Sequence, residues 1–498
     1  MVLPSNFEAK LVKAQNFNKA PIRILPTTST PVRENGYIRL VIPAGAVVDL
    51  RTLNITFWCR TLVNGATSAA KLVGLPKWTS SLIQDLDIWI GGRCVQKFAN
   101  YNFVYNLLQD YKSNYLSRCK EVGVNADPSV YSYMSNAGAV SNWNTYTQSA
   151  DADVNSFANY YCWNDFCGFL GSVQPSVINT DYTGALEIHI RLADSKVLFA
   201  SGLAPGDNVG FEIDNVVAYV DKIDFKDTHY ADVMAAHIGS ETRLLMPFKH
   251  YNTVYGSAIG TDIVPSAKNA TLKITENTAC LDGIMLTFQD NTQPNGKQAL
   301  QLGDSAKVYG NFDGADVAGI NLQLNNRVKN GFVSATQFNY TNLLANGDDK
   351  LLNSSLYFKR NGLGLGTTLG SKTTGTVEFQ INSQSITHPL SLIEQHQQTM
   401  QFFELNEDEQ KQINPAVRNL SLYERDFYCC ALSTSAINNK TNEIMLSGLN
   451  TEQTSMNISV KFVNGRPADL AQNAYPIIIT AMTKYLQVLP GRNLVVVD

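Results

Sequence analysis

Asp85-Leu86-Asp87-Ile88-Trp89-Ile90-Gly91-Gly92-Arg93, followed closely by Tyr101-Asn102-Phe103-Val104-Tyr105-Asn106-Leu107-Leu108, is the stretch that decides the fold. Leu86, Ile88 and Ile90 fall on one face of a strand and Asp85, Asp87 and Trp89 on the other, the period-two pattern of a half-buried strand. Gly91-Gly92 has the backbone freedom for a tight reversal. Phe103, Val104, Leu107, Leu108 and Tyr111 then recur at helical spacing, which predicts an amphipathic helix. The same order returns at Val377-Glu378-Phe379-Gln380-Ile381-Asn382-Ser383-Gln384 with Leu390-Ser391-Leu392-Ile393-Glu394-Gln395-His396. Here Val377, Phe379 and Ile381 alternate, and Pro389 is placed in the first turn of the helix after them. Asn382-Ser383 stands where the first copy has two glycines, and Asn also adopts left-handed turn geometry. A strand–turn–helix unit written twice predicts a chain that is built twice.

Working outward, residues 1–30 read as an N-terminal arm, because Pro4, Pro21, Pro26 and Pro31 break any long helix and Thr27-Thr28-Ser29-Thr30 is loop chemistry. Strands are expected at Tyr37 to Ile42, at Leu53 to Cys59, at Leu186 to Leu192 and from Phe211 to Phe225. Residues 121–180 are rich in Asn, Ser and Tyr with little periodicity and read as a long loop excursion. A connector is assigned to 226–250, with a short helix around Ala231 to His237. In the second half Ile284, Leu286 and Phe288 alternate, and a second excursion covers 290–350. The chain finishes with strands around Ile458 to Phe462, Pro476 to Ile479, Tyr485 to Val488 and Leu494 to Val497. Many short strands with few helices argue for an all-β chain of two sandwiches, and the long excursions favour tandem jelly rolls. The expected boundaries are 1–30 for the arm, 31–225 for the first jelly roll, 226–250 for the connector and 251–498 for the second.

Composition narrows the function classes. With 498 residues and 44% hydrophobic content the chain can bury cores that need no staples. Only 16% of residues are charged and the net charge is −4, with no long basic block. That argues against non-specific nucleic-acid binding, which depends on clustered Lys and Arg. No signal peptide is read at Met1-Val2-Leu3-Pro4, and no run approaches the length of a membrane span. The eight cysteines are scattered, as suits a reducing compartment, so synthesis in a cytosol is expected.

The search for chemistry leaves no catalytic, cofactor-binding or metal-binding residue. Cys162 and Cys167 have the wrong spacing for a zinc pair, and Cys429-Cys430 read as strand residues. His189, His229, His237, His250, His388 and His396 form no metal-ligand spacing and read as structural. Gly362-Leu363-Gly364-Leu365-Gly366 lacks the Gly-Lys-Ser/Thr ending of a phosphate loop. Asp151-Ala152-Asp153-Val154-Asn155 lacks the glycine and closing glutamate of an EF-hand. Glu404, Glu407, Asp408 and Glu409 read as a solvated helix end.

The segment Ser81-Leu82-Ile83-Gln84-Asp85-Leu86-Asp87-Ile88-Trp89-Ile90-Gly91-Gly92-Arg93 resembles part of the double jelly-roll major capsid proteins of large DNA viruses, virophages and polinton-like viruses. The strands from Leu50 to Arg60 and from Leu281 to Phe288, and the stretch Ala481 to Arg492, are similar too. The resemblance implies a non-enzymatic major capsid protein that forms homotrimers. Six barrels would then make a pseudo-hexagonal capsomer of an icosahedral shell, in the virion capsid. It implies that the barrels stand upright, that the excursions form outward towers and intersubunit contacts, and that the arm lies on the inner side. Its partners would be itself, penton and minor capsid proteins and an internal membrane, with no sequence-specific nucleic acid. Asn- and aromatic-rich loops such as Trp143 to Tyr161 leave open a carbohydrate-binding or carbohydrate-hydrolysing β-sandwich, and a spike or penton protein also stays open.

Overall fold

The computed structural model of the chain describes residues 17–65, 72–74, 78–112, 159–201, 208–225, 244–255, 269–274, 276–290, 375–381, 384–403, 428–435, 448–452, 456–462, 474–489 and 493–497, with single residues at 76 and 423. Strands are numbered in chain order. In the first half one sheet runs β1 (Phe17–Ile24), β12 (Val209–Phe225), β4 (Val47–Val63), β8 (Asn159–Trp163). The short β2 (Val32–Arg33) and β9 (Val177–Asn179) join it at β12 and β4. The facing sheet runs β3 (Tyr37–Ile42), β10 (Leu186–Leu192), β6 (Ile83–Ile90), β7 (Arg93–Phe98). A side ribbon pairs β5 (Leu72–Gly74) with β11 (Phe199–Ser201).

The second half repeats the plan. One sheet runs β13 (Leu244–Tyr255), β20 (Ala474–Leu489), β15 (Leu281–Asp290), β18 (Cys430–Ser433), with β21 (Asn493–Val497) added beside β20. The other runs β14 (Asn269–Ile274), β19 (Met456–Phe462), β16 (Gly375–Ile381), β17 (Gln384–Ser385). If the eight principal strands of each half are counted in chain order, both halves read 1-8-3-6 in one sheet and 2-7-4-5 in the other. That order defines a jelly roll, so the chain is a tandem pair of them.

Alternation explains why these strands form. Ile38, Leu40 and Ile42 of β3, Leu86, Ile88 and Ile90 of β6, and Leu186, Ile188 and Ile190 of β10 are all buried. Their registers place Ile88 opposite Ile188 and Ile188 opposite Leu40. Each buried Ile or Leu contributes about 1.5–3 kcal/mol relative to exposure. In the facing sheet Leu53, Ile55, Phe57 and Cys59 do the same, with Trp163 packed on Phe57 at 4.2 Å between ring centroids. β12 bends where its register with β4 shifts between Asp214 and Val217, with Asn215 in the left-handed region.

The duplicated unit keeps its register. Ile90 pairs with Arg93, and Ile381 pairs with Gln384, so each hairpin closes over two residues. Helix α1 (Tyr101–Lys112) follows in the first half. Two short helices come next, α2 (Phe169–Ser172) and α3 (Thr180–Thr183), and α4 (Leu392–Phe402) takes the place of α1 in the second half.

Several expectations need correction. The stretch read as an arm contains β1, which pairs along its whole length with Ala218–Phe225; Pro21 is tolerated because β1 is an edge strand. The first excursion ends earlier than expected, since β8, α2, β9 and α3 all lie between 159 and 183. Their aromatic and apolar residues, Tyr161, Trp163, Phe169 and Ile178, are buried. Within the expected connector, β13 begins at Leu244, where Met246 and Phe248 alternate into the core. Pro389 is not in the first turn of α4; Ser391 is its N-cap, and a Ser391–Glu394 capping box starts the helix. β20 is one strand of 16 residues rather than two pieces. The expected helix at 231–237, most of the 290–350 excursion and the glycine loop at 362–366 lie outside the described residues.

Candidate functional site

Among the described residues, the histidines and most of the thiols are held in structural contacts or buried. His189 Nε2 lies 2.9 Å from Glu187 Oε2, and its ring stacks on Trp89 at 5.9 Å. His250 Nδ1 meets Gln96 Nε2 at 3.2 Å, His388 Nε2 meets Glu394 Oε1 at 2.9 Å, and His396 packs edge-on against Tyr423. His229 and His237 lie outside the described residues. Burial pushes the thiols of Cys162, Cys280 and Cys430 above their ordinary values, away from thiolate reactivity. Cys429 is buried as well, and its carbonyl accepts hydrogen bonds from the Thr399 and Tyr423 hydroxyls. Glu212 is buried between Arg60 and Arg33 and ties β12 to β4 and β2. Among the described residues no group of three or more His, Cys, Asp or Glu could hold a metal ion. The stretch 151–155 and the acidic cluster at 404–409 lie outside them.

The feature with consequences is the junction between the barrels. Arg93 Nη1 donates to the Leu494 carbonyl. One step along, Gln96 meets His250, and then Phe98 stacks on Tyr251 at 5.8 Å. Finally Asn100 Nδ2 donates to Thr253 Oγ1 at 3.1 Å. The numbers rise together on both strands, so β7 and β13 run side by side in the same direction. The outer edge of β13 is covered by the α2 region: Gln174 N donates to the Pro247 carbonyl at 3.0 Å, and Lys249 N donates to Ser172 Oγ at 2.8 Å. Gln96, buried, also accepts from Phe169 N at 2.6 Å, and Phe169 packs edge-on against Phe248 at 5.0 Å. The two helices that follow the duplicated hairpins meet where Tyr111 stacks on Phe403, with centroids 4.6 Å apart and planes 8° apart. Buried residues of both barrels form one continuous core.

Parallel barrels have matching ends. In the first barrel the short turns at Pro43–Ala46, Gly91-Gly92 and Thr180–Ala185 gather at one end, tied by Thr180 N to the Ala46 carbonyl and Gly91 N to the Ala185 carbonyl. Antiparallel pairing then fixes the rest. The connections at 64–82 and 99–158 leave from the opposite end, as do 291–374 and 386–429 in the second barrel. β1 begins at the turn end, where Phe17 pairs with Phe225. The described strand ends that bound the long connections of both barrels therefore share one end of the molecule, and β1 begins at the other. The parallel junction was not legible in the sequence. Its nearest signal was the alternation Leu244, Met246, Phe248, hidden by Pro247.

Two tandem jelly rolls, side by side with their strands parallel across the junction, define the double jelly-roll class of fold. No protein-family model matches the sequence, and no curated protein does. Solved structures do match. The chain is similar to a subunit of the PBCV-1 virus capsid, with a TM-score of 0.53 and 11% identity over 97% of each chain. It is also similar to the Faustovirus major capsid protein, with a TM-score of 0.50 and 10% identity over 95% of this chain and 90% of that one. At this identity the likeness establishes the fold: the chain has the double jelly-roll architecture found in these capsid proteins.

Proposed function

We propose that the chain is a major capsid protein, a non-enzymatic building block whose work is self-assembly into homotrimers. The observation that carries this reading is the second barrel's repetition of the first barrel's strand order and its parallel stance. Two like, upright units in one chain make a three-chain ring a six-fold-like object, which can tile a shell with few special contacts. The loop end, which gathers the long connections, would face outward, and the turn end, where β1 begins, would face inward. Neighbouring capsomers, penton and minor capsid proteins would be the partners, with an internal membrane as a further inner contact. Assembly into virions would follow synthesis in the host cytoplasm. Negative-stain microscopy of the purified protein tests the reading: pseudo-hexagonal particles are expected, and isolated two-lobed particles at all concentrations would overturn it. Turnover of a glycoside panel would favour a carbohydrate-active sandwich instead.

A further inference from the structure

Across the barrel junction, the amide of Gln96 dictates where a histidine carries its proton. Gln96 is 1% exposed, and its Oε1 accepts from Phe169 N at 2.6 Å. A backbone N–H can only donate, so the side-chain NH2 must point the other way. There Nε2 lies 3.2 Å from His250 Nδ1. The amide NH2 also only donates, so Nδ1 is the acceptor and the ring is the neutral form with its proton on Nε2. The amide is confined as well: it lies against Gly168, where a Cβ would come within 2.7 Å of both Nε2 and Oε1. Phe169 in turn packs edge-on against Phe248, on the same strand as His250, with centroids 5.0 Å apart. One imidazole lone pair therefore links β7 and the α2 region of the first barrel to β13 of the second.

We propose that this contact is a pH-sensitive latch between the two barrels of one chain, closed while His250 is neutral and opened when the ring takes up a proton. Protonation puts a hydrogen on Nδ1, so two donors then face each other across 3.2 Å. The hydrogen bond is lost, and a buried amide NH2 is left against a cation. On the described elements around the ring the charged groups are Arg93 and Lys97 on β7, Lys484 on β20, Lys249 with its partner Asp282, and Glu276, which accepts from Asn252. Tyr251 and Cys167 are the neighbouring phenol and thiol, and burial pushes the phenol further up. None of these residue types ordinarily titrates between about pH 5 and 8, where histidine does. The folded junction holds the neutral ring, whereas the unfolded chain leaves it free to charge. The latch therefore supports the junction above the histidine range, about pH 6.5, and that support is lost as pH falls through it. It lies within one chain, so it stands or falls independently of assembly.

Hydrogen exchange of the full chain, read by mass spectrometry at about pH 7.5 and about pH 5.5 with times scaled for the intrinsic rate, tests it. In the wild type, peptides covering 167–174 and 244–255 are expected to exchange about tenfold faster in acid, relative to peptides covering β3 and β10. His250→Asn places an amide oxygen where Nδ1 stood and carries no titrating group. It is expected to keep the protection seen at neutral pH and to lose the acid step. Gln96→Glu replaces the facing donor with an acceptor, so acid is expected to tighten the junction instead of loosening it. Should one variant fail to fold, the other still decides against the wild type. Wild-type junction peptides that exchange alike at both pH values overturn the latch. An acid step that survives in His250→Asn, that keeps its sign in Gln96→Glu, or that strikes every peptide equally overturns it too.

Discussion

The two copies of the strand–turn–helix unit share a register and differ in what covers them. After β7, helix α1 buries Tyr101, Phe103, Val104, Leu107, Leu108 and Tyr111, and even Asn102, Asn106 and Asp110 are enclosed. After β17, helix α4 buries Gln395, Thr399 and Met400 and leaves Ile393 in the open. The same local code therefore supports two environments. The first unit packs on β6 of its own barrel and also meets the second barrel through Phe98 on Tyr251 and Tyr111 on Phe403, whereas among the described residues Ile393 of the second unit stays exposed.

The comparison breaks most readily at Phe98, which is fully buried against Tyr101 and Tyr251. Phe98→Ala is expected to cost about 3–5 kcal/mol of stability in denaturant unfolding. Ile393→Ala, its exposed counterpart on the second flank, should stay within about 0.5 kcal/mol for the unassembled chain. Equal losses would erase the distinction between a sealed and an open unit.

A second effect sits in the turn. Gly91 has φ +56, and a Cβ there would lie 2.5 Å from the Thr183 carbonyl oxygen, whereas Gly92 has φ +78 with nothing within 4 Å. Gly91→Ala is expected to cost on the order of 2–3 kcal/mol, from backbone strain and the clash. Gly92→Ala should cost about 1 kcal/mol, from the backbone alone. Thermal midpoints of the two variants check the ranking, which would be refuted if Gly92→Ala were the worse.

The second unit depends on its cap instead. Ser391 and Glu394 form a capping box at the start of α4, so Ser391→Ala should cost about 1 kcal/mol, read as a lower melting midpoint. The smallest effect concerns Glu394 itself. A hydrogen bond from His388, with further bonds from Ser391, holds its carboxyl down at about 2. A carboxyl depressed below its unfolded value stabilises the fold above that value, and this support is lost as pH falls toward about 2. His388→Ala should move the Glu394 midpoint upward toward the ordinary carboxylate range in a carboxyl-carbon NMR titration. An unmoved midpoint would show that the histidine is not the main cause.

Much of this was legible in the sequence, and the reasons are local. The alternation at Leu86, Ile88 and Ile90 and the helical stripe from Phe103 to Tyr111 are set by periodicity, and both units form where periodicity places them. Two β-sandwiches followed from many short strands and a repeated unit, while their jelly-roll form rested on the long excursions and on the resemblance. What escaped was decided by partners distant in the chain. β1 looked like an arm because its prolines and polar residues carry no strand pattern; β12, far along the chain, makes it a strand. The segment around Phe169 looked like loop because its packing partner, Phe248, comes from the other barrel. The junction itself leaves almost no trace in either strand alone, since Gln96 and His250 gain meaning only as a pair.

On the proposed function, two like barrels in one chain are half-finished work, completed by identical chains. Native mass spectrometry of the purified protein tests it most directly. The account predicts a dominant species of three chains, each of 54.9 kDa. A species of one chain, or a closed pair of chains related by a two-fold axis, would contradict it.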